Sequence, residues 1–125
     1  TEIKLREPYR PYAPIVLEDD YEKYFDLKST SPFMLFDSKV LSKDLPAITH
    51  VDGTSRPQTV NKNNGIIYDI LINIKEIKGI PVCLNTSLNR PGEPICETPE
   101  DAINYALNSK ADYLVIENFL ISLSK

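Results

Sequence analysis

A short run at residues 49–56 (THVDGTSR) combines several groups that could do chemistry. His50, Asp52 and Arg56 bring an imidazole, a carboxylate and a guanidinium close together in the sequence, and Gly53 allows a tight turn between them. A guanidinium presented at a turn together with backbone N–H groups is well suited to an oxyanion. Arg56 is therefore the first candidate for a catalytic or anion-binding residue. An ion pair between Arg56 and Asp52 or a neighbouring acid is the structural alternative.

His50 and Asp52 are secondary candidates. His50 is the only histidine of the chain, which excludes a histidine-rich metal cluster within it, and a lone histidine on a strand is more often structural. Asp52 could hold Mg²⁺, or it could form the turn by capping its own backbone. The sequence leaves both interpretations of each residue open.

Two further segments contain polar groups beside prolines and glycines. Lys4, Arg6 and Arg10 lie in a proline-stiffened segment that could direct them at a phosphate or carboxylate, or could leave them as a solvated basic segment. Asn85 and Ser87 follow a predicted buried strand, and α/β sheets often bind ligands at strand ends; a cap or turn is the alternative. The three segments are expected to form the walls of one polar pocket.

The composition limits the class of protein. With 125 residues, 42% of them hydrophobic, the chain suits one domain, and its net charge of -4 argues against a nucleic-acid partner. No apolar stretch approaches the roughly 20 residues that span a bilayer, so we expect a soluble, cytoplasmic protein without a membrane partner. Cys83 and Cys96 are expected to be buried free thiols.

Periodicity predicts an α/β or α+β fold with a mixed sheet. Isoleucines and leucines at three- and four-residue steps predict a helix from Gly65 to Gly79, followed by a strand in an α/β crossover. Thr98 and Pro99 begin a second helix. The predicted strands are 13–17, 32–36, 47–51, 56–60, 80–84, 113–116 and 119–121. A short helix is predicted in 18–25 and a polar connector in 38–46. A hairpin turn at residues 52–53 would bring His50 close to Arg56.

These blocks, in this order, resemble the C-terminal domain of the O-carbamoyltransferases, which include nodulation-factor, cephalosporin and aminoglycoside carbamoyl transfer enzymes. The resemblance is carried by residues 6–14 (REPYRPYAP), 49–54 (THVDGT) with Arg56, 84–89 (LNTSLN), 92–95 (GEPI) and 98–102 (TPEDA).

The resemblance implies a YrdC-like fold, a twisted mixed sheet with flanking helices, of which residues 1–125 would form a C-terminal portion. It implies a transferase that uses carbamoyl phosphate and ATP with Mg²⁺ to form carbamoyl-adenylate, and that carbamoylates a hydroxyl of an acceptor. Lys4, Arg10 and Arg56 match the family's basic residues at the carbamoyl phosphate site, and Asn85 and Ser87 match its polar residues near the carbamoyl and nucleotide groups. Lys4 and Arg56 are the expected catalytic residues.

The resemblance also implies an actin-like ATPase-type N-terminal domain, absent from this sequence, that binds the acceptor. The chain by itself is therefore expected to be inactive, and a homodimer stays open. The alternatives are a threonylcarbamoyl-adenylate synthase-like domain of tRNA modification and a non-catalytic module that binds a nucleotide or anion.

Overall fold

The computed structural model describes residues 3–4, 7 and 9–123. Helices and strands are mixed in an α+β arrangement, as predicted. The contacts divide the chain into two compact units: the sheet unit, Pro11–Thr86, and the hairpin unit, Thr1–Arg10 with Ser87–Lys125. Arg6 and Pro8 of the first sequence block lie outside the described residues.

The sheet unit is built on a three-stranded mixed sheet. β1 (Ala13–Leu17) lies in the centre, parallel to β4 (Gln58–Val60) on one side and antiparallel to β5 (Val82–Asn85) on the other. The mixed sheet and the strand at 13–17 were predicted correctly. Since β4 and β5 flank β1 and run in opposite directions, the helix between them is not the parallel α/β crossover that the sequence suggested.

Successive residues of β1 enter two different cores, because side chains alternate across a strand. Val16 is fully buried with Phe25 and Ile48 in one cluster, whereas Leu17 packs with Val60 and Leu71 in another. β1 therefore connects the apolar layers on both faces of the sheet.

α1 (Ile66–Lys78) is the helix predicted from the isoleucine spacing. It ends at Gly79, whose φ of 77° is left-handed and whose N–H donates to the Lys75 carbonyl at 2.8 Å. Not all of the apolar residues that predict the helix are buried: Leu71 is buried, while Ile70 and Ile77 are exposed. The helix meets the sheet along the stripe that contains Leu71, so the isoleucines on the other stripe stay outside.

The structure differs from the prediction in three segments between residues 18 and 46. Residues 32–36 form no strand: Phe33 and Leu35 are exposed and Met34 has a φ of 56°. The predicted helix in 18–25 is one turn of 3-10 helix, Tyr21–Lys23. The predicted polar connector at 38–46 begins with a short strand, β2 (Ser38–Lys39).

The predicted hairpin across residues 52–53 is also wrong. A turn is present, but Pro46–Ile48 is a 3-10 helix, and β3 (Thr54–Ser55) pairs antiparallel with β2. Pro57, which is fully buried and has no N–H to donate to a ladder, separates β3 from β4, so the chain passes from one sheet to the next.

The hairpin unit follows the sequence prediction closely. α2 (Pro99–Leu107) begins with a capping box in which the Thr98 hydroxyl and the Asp101 carboxylate each accept from the other's backbone N–H. Its buried alanines pack on β6 (Tyr113–Ile116), which pairs with β7 (Phe119–Ser122). Local signals sufficed here because the capping residues and the paired strands are neighbours in sequence.

Candidate functional site

The loop that leads to Arg56 is held by its own hydrogen bonds. Gly53 N–H donates to the His50 carbonyl at 2.9 Å, and His50 N–H donates to the Thr54 carbonyl at 2.8 Å. Asp52 Oδ1 accepts from both the backbone N–H of Thr54 at 2.9 Å and its hydroxyl at 2.6 Å. These bonds close the turn and lead the chain into β3, directly before Arg56.

The same carboxylate also faces the histidine, with Asp52 Oδ1 and His50 Nδ1 3.2 Å apart. The hydrogen bonds from the Thr54 hydroxyl and N–H, aided by His50, lower the pKa of Asp52 below its ordinary 3.8. Asp52 therefore stabilises the turn by accepting hydrogen bonds from Thr54. In the described part of the chain no group of three or more His, Cys, Asp or Glu side chains is placed to hold a metal ion.

Arg56 lies at a cavity of about 270 Å³ in the sheet unit. The Arg56 side chain is exposed, and no described residue forms a hydrogen bond or ion pair with its guanidinium. The structural alternative, an ion pair with Asp52, is thus absent among the described residues. The cavity brings together all three candidates of the 49–56 run, as its lining shows: Pro11, Ala13, Asp37, His50, Asp52, Thr54, Ser55 and Arg56.

Asn85 ends β5 in the same unit, and its amide is held in place. Asn85 Nδ2 donates to Gln58 Oε1 at 2.7 Å, and Gln58 Nε2 donates to the Pro32 carbonyl at 3.1 Å. Asn85 is half-buried. Gln58 was not singled out from the sequence, because only the parallel pairing of β4 with β1 brings it beside the end of β5.

Lys4 and Ser87 come together within the hairpin unit. Lys4 Nζ donates to the carbonyls of Ser87 and Asn89 and to Asn89 Oδ1, the last at 2.6 Å. Ser87 Oγ in turn donates to Asn89 Oδ1 at 2.7 Å. Asn89 was not proposed as a site residue from the sequence, although a second amide four residues after Asn85 and two after Ser87 was the available signal.

Arg10 is engaged differently. Its Nη1 lies 3.3 Å from Glu7 Oε2, and both side chains are about half exposed. The pair matches the alternative of a solvated basic segment better than a guanidinium held toward a ligand. A surface pair of this kind is weak, so it leaves Arg10 able to exchange partners.

Both cysteines are free thiols, as expected, but they are only partly buried. Burial raises the pKa of Cys83, which keeps this thiol protonated at neutral pH. Cys96 lines a second cavity, of about 480 Å³, in the hairpin unit with Arg90, Glu93 and Tyr105 among others. Arg90 Nη1 lies 3.8 Å from Glu93 Oε1, whereas Arg56 forms no ion pair with any described residue.

The length and apolarity of a helix decide whether it can cross a membrane. Neither helix in the described ranges is long and apolar enough to cross a bilayer.

Comparison with known proteins connects these loops to one family. The family model described as the carbamoyltransferase C-terminus matches residues 1–123. The nodulation protein NolO of Bradyrhizobium diazoefficiens is 42% identical over 95% of this chain and 23% of its own length. Nodulation protein U of Sinorhizobium fredii is 41% identical over 73% of this chain and 17% of its length, and an uncharacterised protein of Synechocystis is 38% identical over 96% and 23%.

The chain spans less than a quarter of each of these relatives. The match nevertheless runs through all the described segments that contain the candidate residues, from Lys4 to Ser87. The chain belongs to the carbamoyltransferase C-terminus family.

Proposed function

We propose that this chain is the C-terminal part of an O-carbamoyltransferase that uses carbamoyl phosphate and ATP to form carbamoyl-adenylate, and passes the carbamoyl group to an acceptor hydroxyl. The observation that supports the proposal most directly is the guanidinium of Arg56 at the cavity of the sheet unit, which forms no hydrogen bond or ion pair with a described residue. Family membership favours carbamoyl transfer over the other anion chemistries that such a cavity allows.

Arg56 suits a phosphoryl group because its planar guanidinium can donate two parallel hydrogen bonds to two oxygens. Such a cation would stabilise charge that develops on phosphoryl oxygens when the bond to the carbamoyl group breaks or when pyrophosphate leaves ATP. Mg²⁺ would arrive with the nucleotide and neutralise part of the charge of its phosphates. Asn85, whose amide is oriented by Gln58, would bind near the carbamoyl or nucleotide group.

Lys4, Arg10 and Ser87 are the proposed substrate-binding residues of the hairpin unit. Lys4 is already positioned by oxygen atoms of Ser87 and Asn89, so its ammonium is ordered before any ligand arrives. Pre-ordering of this kind lowers the entropy lost on binding. Arg10 would have to leave Glu7 for a ligand oxygen.

The first prediction concerns Arg56. In the complete enzyme, Arg56→Ala should lower carbamoyl-phosphate-dependent pyrophosphate release from ATP by roughly 100-fold or more, the usual effect of removing one charged donor at a developing oxyanion. Arg56→Lys should recover only part of the rate, because an ammonium cannot reproduce the two-pronged contact. Arg90→Ala is the matched control, since Arg90 lies near Glu93 in the other unit.

Undiminished pyrophosphate release by Arg56→Ala would refute the assignment. Binding of carbamoyl phosphate and ATP without any pyrophosphate release, in the enzyme with Arg56 intact, would instead favour a non-catalytic binding module. Replacement of carbamoyl phosphate by threonine and bicarbonate would favour a threonylcarbamoyl-adenylate synthase.

A further inference from the structure

Two buried hydroxyl groups have no hydrogen-bond partner among the described residues: Ser31 Oγ and Ser55 Oγ. A buried polar atom without a partner costs about 1–3 kcal/mol, so each such atom in a folded protein requires an explanation. Ser31 is 1% exposed and Ser55 is 6% exposed, which means that surrounding water does not readily supply the missing bond.

The two serines differ in their surroundings. Ser55 lies on β3, directly before Arg56, and lines the 270 Å³ cavity, whereas Ser31 does not line that cavity. The residue opposite Ser55 in the strand pair is Ser38, but the Ser38 hydroxyl donates to the Lys39 carbonyl at 3.2 Å instead of meeting Ser55. The strand pair thus leaves the Ser55 hydroxyl without a partner at the edge of the cavity.

We infer that Ser55 is a further ligand-binding residue, whose hydroxyl donates a hydrogen bond to one oxygen of the phosphoryl group while Arg56 holds two others. This inference rests on the proposed function, because it takes the same cavity as the place of the phosphoryl group. A hydroxyl donor and a guanidinium are a natural pair for a tetrahedral oxyanion: the guanidinium engages two oxygens in its plane, and the hydroxyl is left to meet another.

The contact requires a small movement of the serine. Ser55 Oγ is shielded from solvent in the free chain, so the side chain must turn to another staggered rotamer to reach a ligand in the cavity. A rotamer change of this kind is fast compared with binding. Because the hydroxyl has no hydrogen bond to a described residue, no such bond is broken when it turns.

The acidic lining makes a neutral donor useful. Asp37 and Asp52 border the same cavity, and their carboxylates oppose an anion. Arg56 supplies the positive charge that overcomes this repulsion. Ser55 adds attraction by a donor that needs no additional charge.

The test is a titration of the complete enzyme with carbamoyl phosphate, and separately with inorganic phosphate, measured by isothermal titration calorimetry. Ser55→Ala should raise the Kd for both ligands roughly tenfold or more, as expected for a lost hydrogen bond to a charged group. Ser31→Ala is the matched control: it removes the other unpartnered buried hydroxyl and should leave both Kd values unchanged. Neither variant should lower the midpoint of urea unfolding, since neither hydroxyl has a partner to lose.

The outcomes separate this inference from the proposed function. If Arg56→Ala abolishes binding while Ser55→Ala binds as tightly as the unchanged chain, the role of Ser55 is refuted and the function stands. If Arg56→Ala also binds normally, or if the unchanged complete enzyme binds no carbamoyl phosphate, both the role of Ser55 and the proposed function are refuted. A loss confined to carbamoyl phosphate, with phosphate binding intact, would contradict the assignment of Ser55 to the phosphoryl group.

Discussion

Arg56 and Arg10 show how two similar residues acquire different roles. Arg10 has Glu7 three residues away and pairs with it, whereas Arg56 comes after a turn whose carboxylate is already satisfied by Thr54 and His50. The hydrogen bonds to Asp52 therefore do more than shape the turn. They engage the carboxylate of Asp52, and no described residue forms a hydrogen bond or ion pair with the Arg56 guanidinium.

The turn should respond to pH through Asp52. Its pKa is lowered in the folded chain, so the stabilisation from its carboxylate is complete above the ordinary 3.8 and is lost as the pH falls through the lower folded value. The carboxyl ¹³C shift of Asp52 should therefore titrate with a midpoint below 3.8. In Thr54→Val, which lacks the donating hydroxyl that lowers the pKa most, the midpoint should move up toward 3.8.

The Thr54 amide provides an independent reading. It donates to Asp52 Oδ1, so its shift should follow the Asp52 titration in the unchanged chain and become insensitive to pH over that range in Asp52→Asn. A midpoint at or above 3.8 in the unchanged chain would show that the carboxylate does not hold the turn as described.

At the scale of elements, α1 shows the difference between predicting a helix and predicting its buried side. Apolar residues on α1 follow two stripes, and spacing alone does not tell which stripe packs on the sheet. The core of the sheet unit receives Leu71, which contacts the cluster of Leu17 and Val60. The exposed stripe includes Ile66, Ile70 and Ile77.

Paired substitutions on α1 should show this asymmetry. Leu71→Ala should lower the free energy of unfolding by about 2–5 kcal/mol, because it removes a buried side chain and leaves a cavity between helix and sheet. Ile77→Ala, at a position that is 75% exposed, should change it by no more than about 0.5 kcal/mol. Urea unfolding followed by circular dichroism measures both; equal losses would mean that the helix packs by its other stripe.

At the scale of the whole molecule, one buried acid connects segments that are distant in sequence. Asp20 is 2% exposed, and its two carboxylate oxygens accept from Lys23 Nζ and Lys75 Nζ, each at 2.6 Å. Lys75 belongs to α1, whereas Lys23 ends the first 3-10 helix. The carboxylate thus joins the start of the sheet unit to its main helix.

This connection should make stability depend on pH. Burial opposes the charged form of Asp20, but hydrogen bonds and attraction from Lys23 and Lys75 outweigh it and lower the pKa below 3.8. Because the pKa of Asp20 is lower in the folded chain than in the unfolded chain, its carboxylate stabilises the fold fully at pH values above the unfolded pKa. This stabilisation is lost as the pH falls through the folded pKa. Asp20→Asn should therefore cost about 1–3 kcal/mol at pH 7 and progressively less in acid.

Asp26→Asn is the matched control for this measurement. Asp26 pairs with Lys28 at 2.8 Å on the surface, where both side chains are largely solvated, so its replacement should have little effect on unfolding. Urea titrations of the two variants at pH 7 and pH 3 make the comparison. If Asp20→Asn lowers the free energy of unfolding equally at pH 7 and pH 3, the buried carboxylate does not contribute to stability through its charge.

The sequence by itself determined what depends on neighbouring residues. Thr98 and Asp101 cap α2, Gly79 ends α1, and the Glu117–Asn118 turn joins β6 and β7, each through contacts within a few residues. Residue type and order in the sequence were likewise enough to recognise the family blocks. They were also enough to name the candidate site residues: Lys4, Arg10, Arg56, Asn85 and Ser87.

Only the tertiary structure decided which distant segments pair. β4 joins β1 rather than forming a hairpin with residues 47–51, and this pairing sets Gln58 beside Asn85. The pairing of β3 with β2 leaves Ser55 unpartnered at the Arg56 cavity. These pairings depend on which apolar faces pack together and on where Pro57 interrupts the strand ladder. The contacts that stabilise them join segments that are distant in sequence, so no local sequence pattern predicts them.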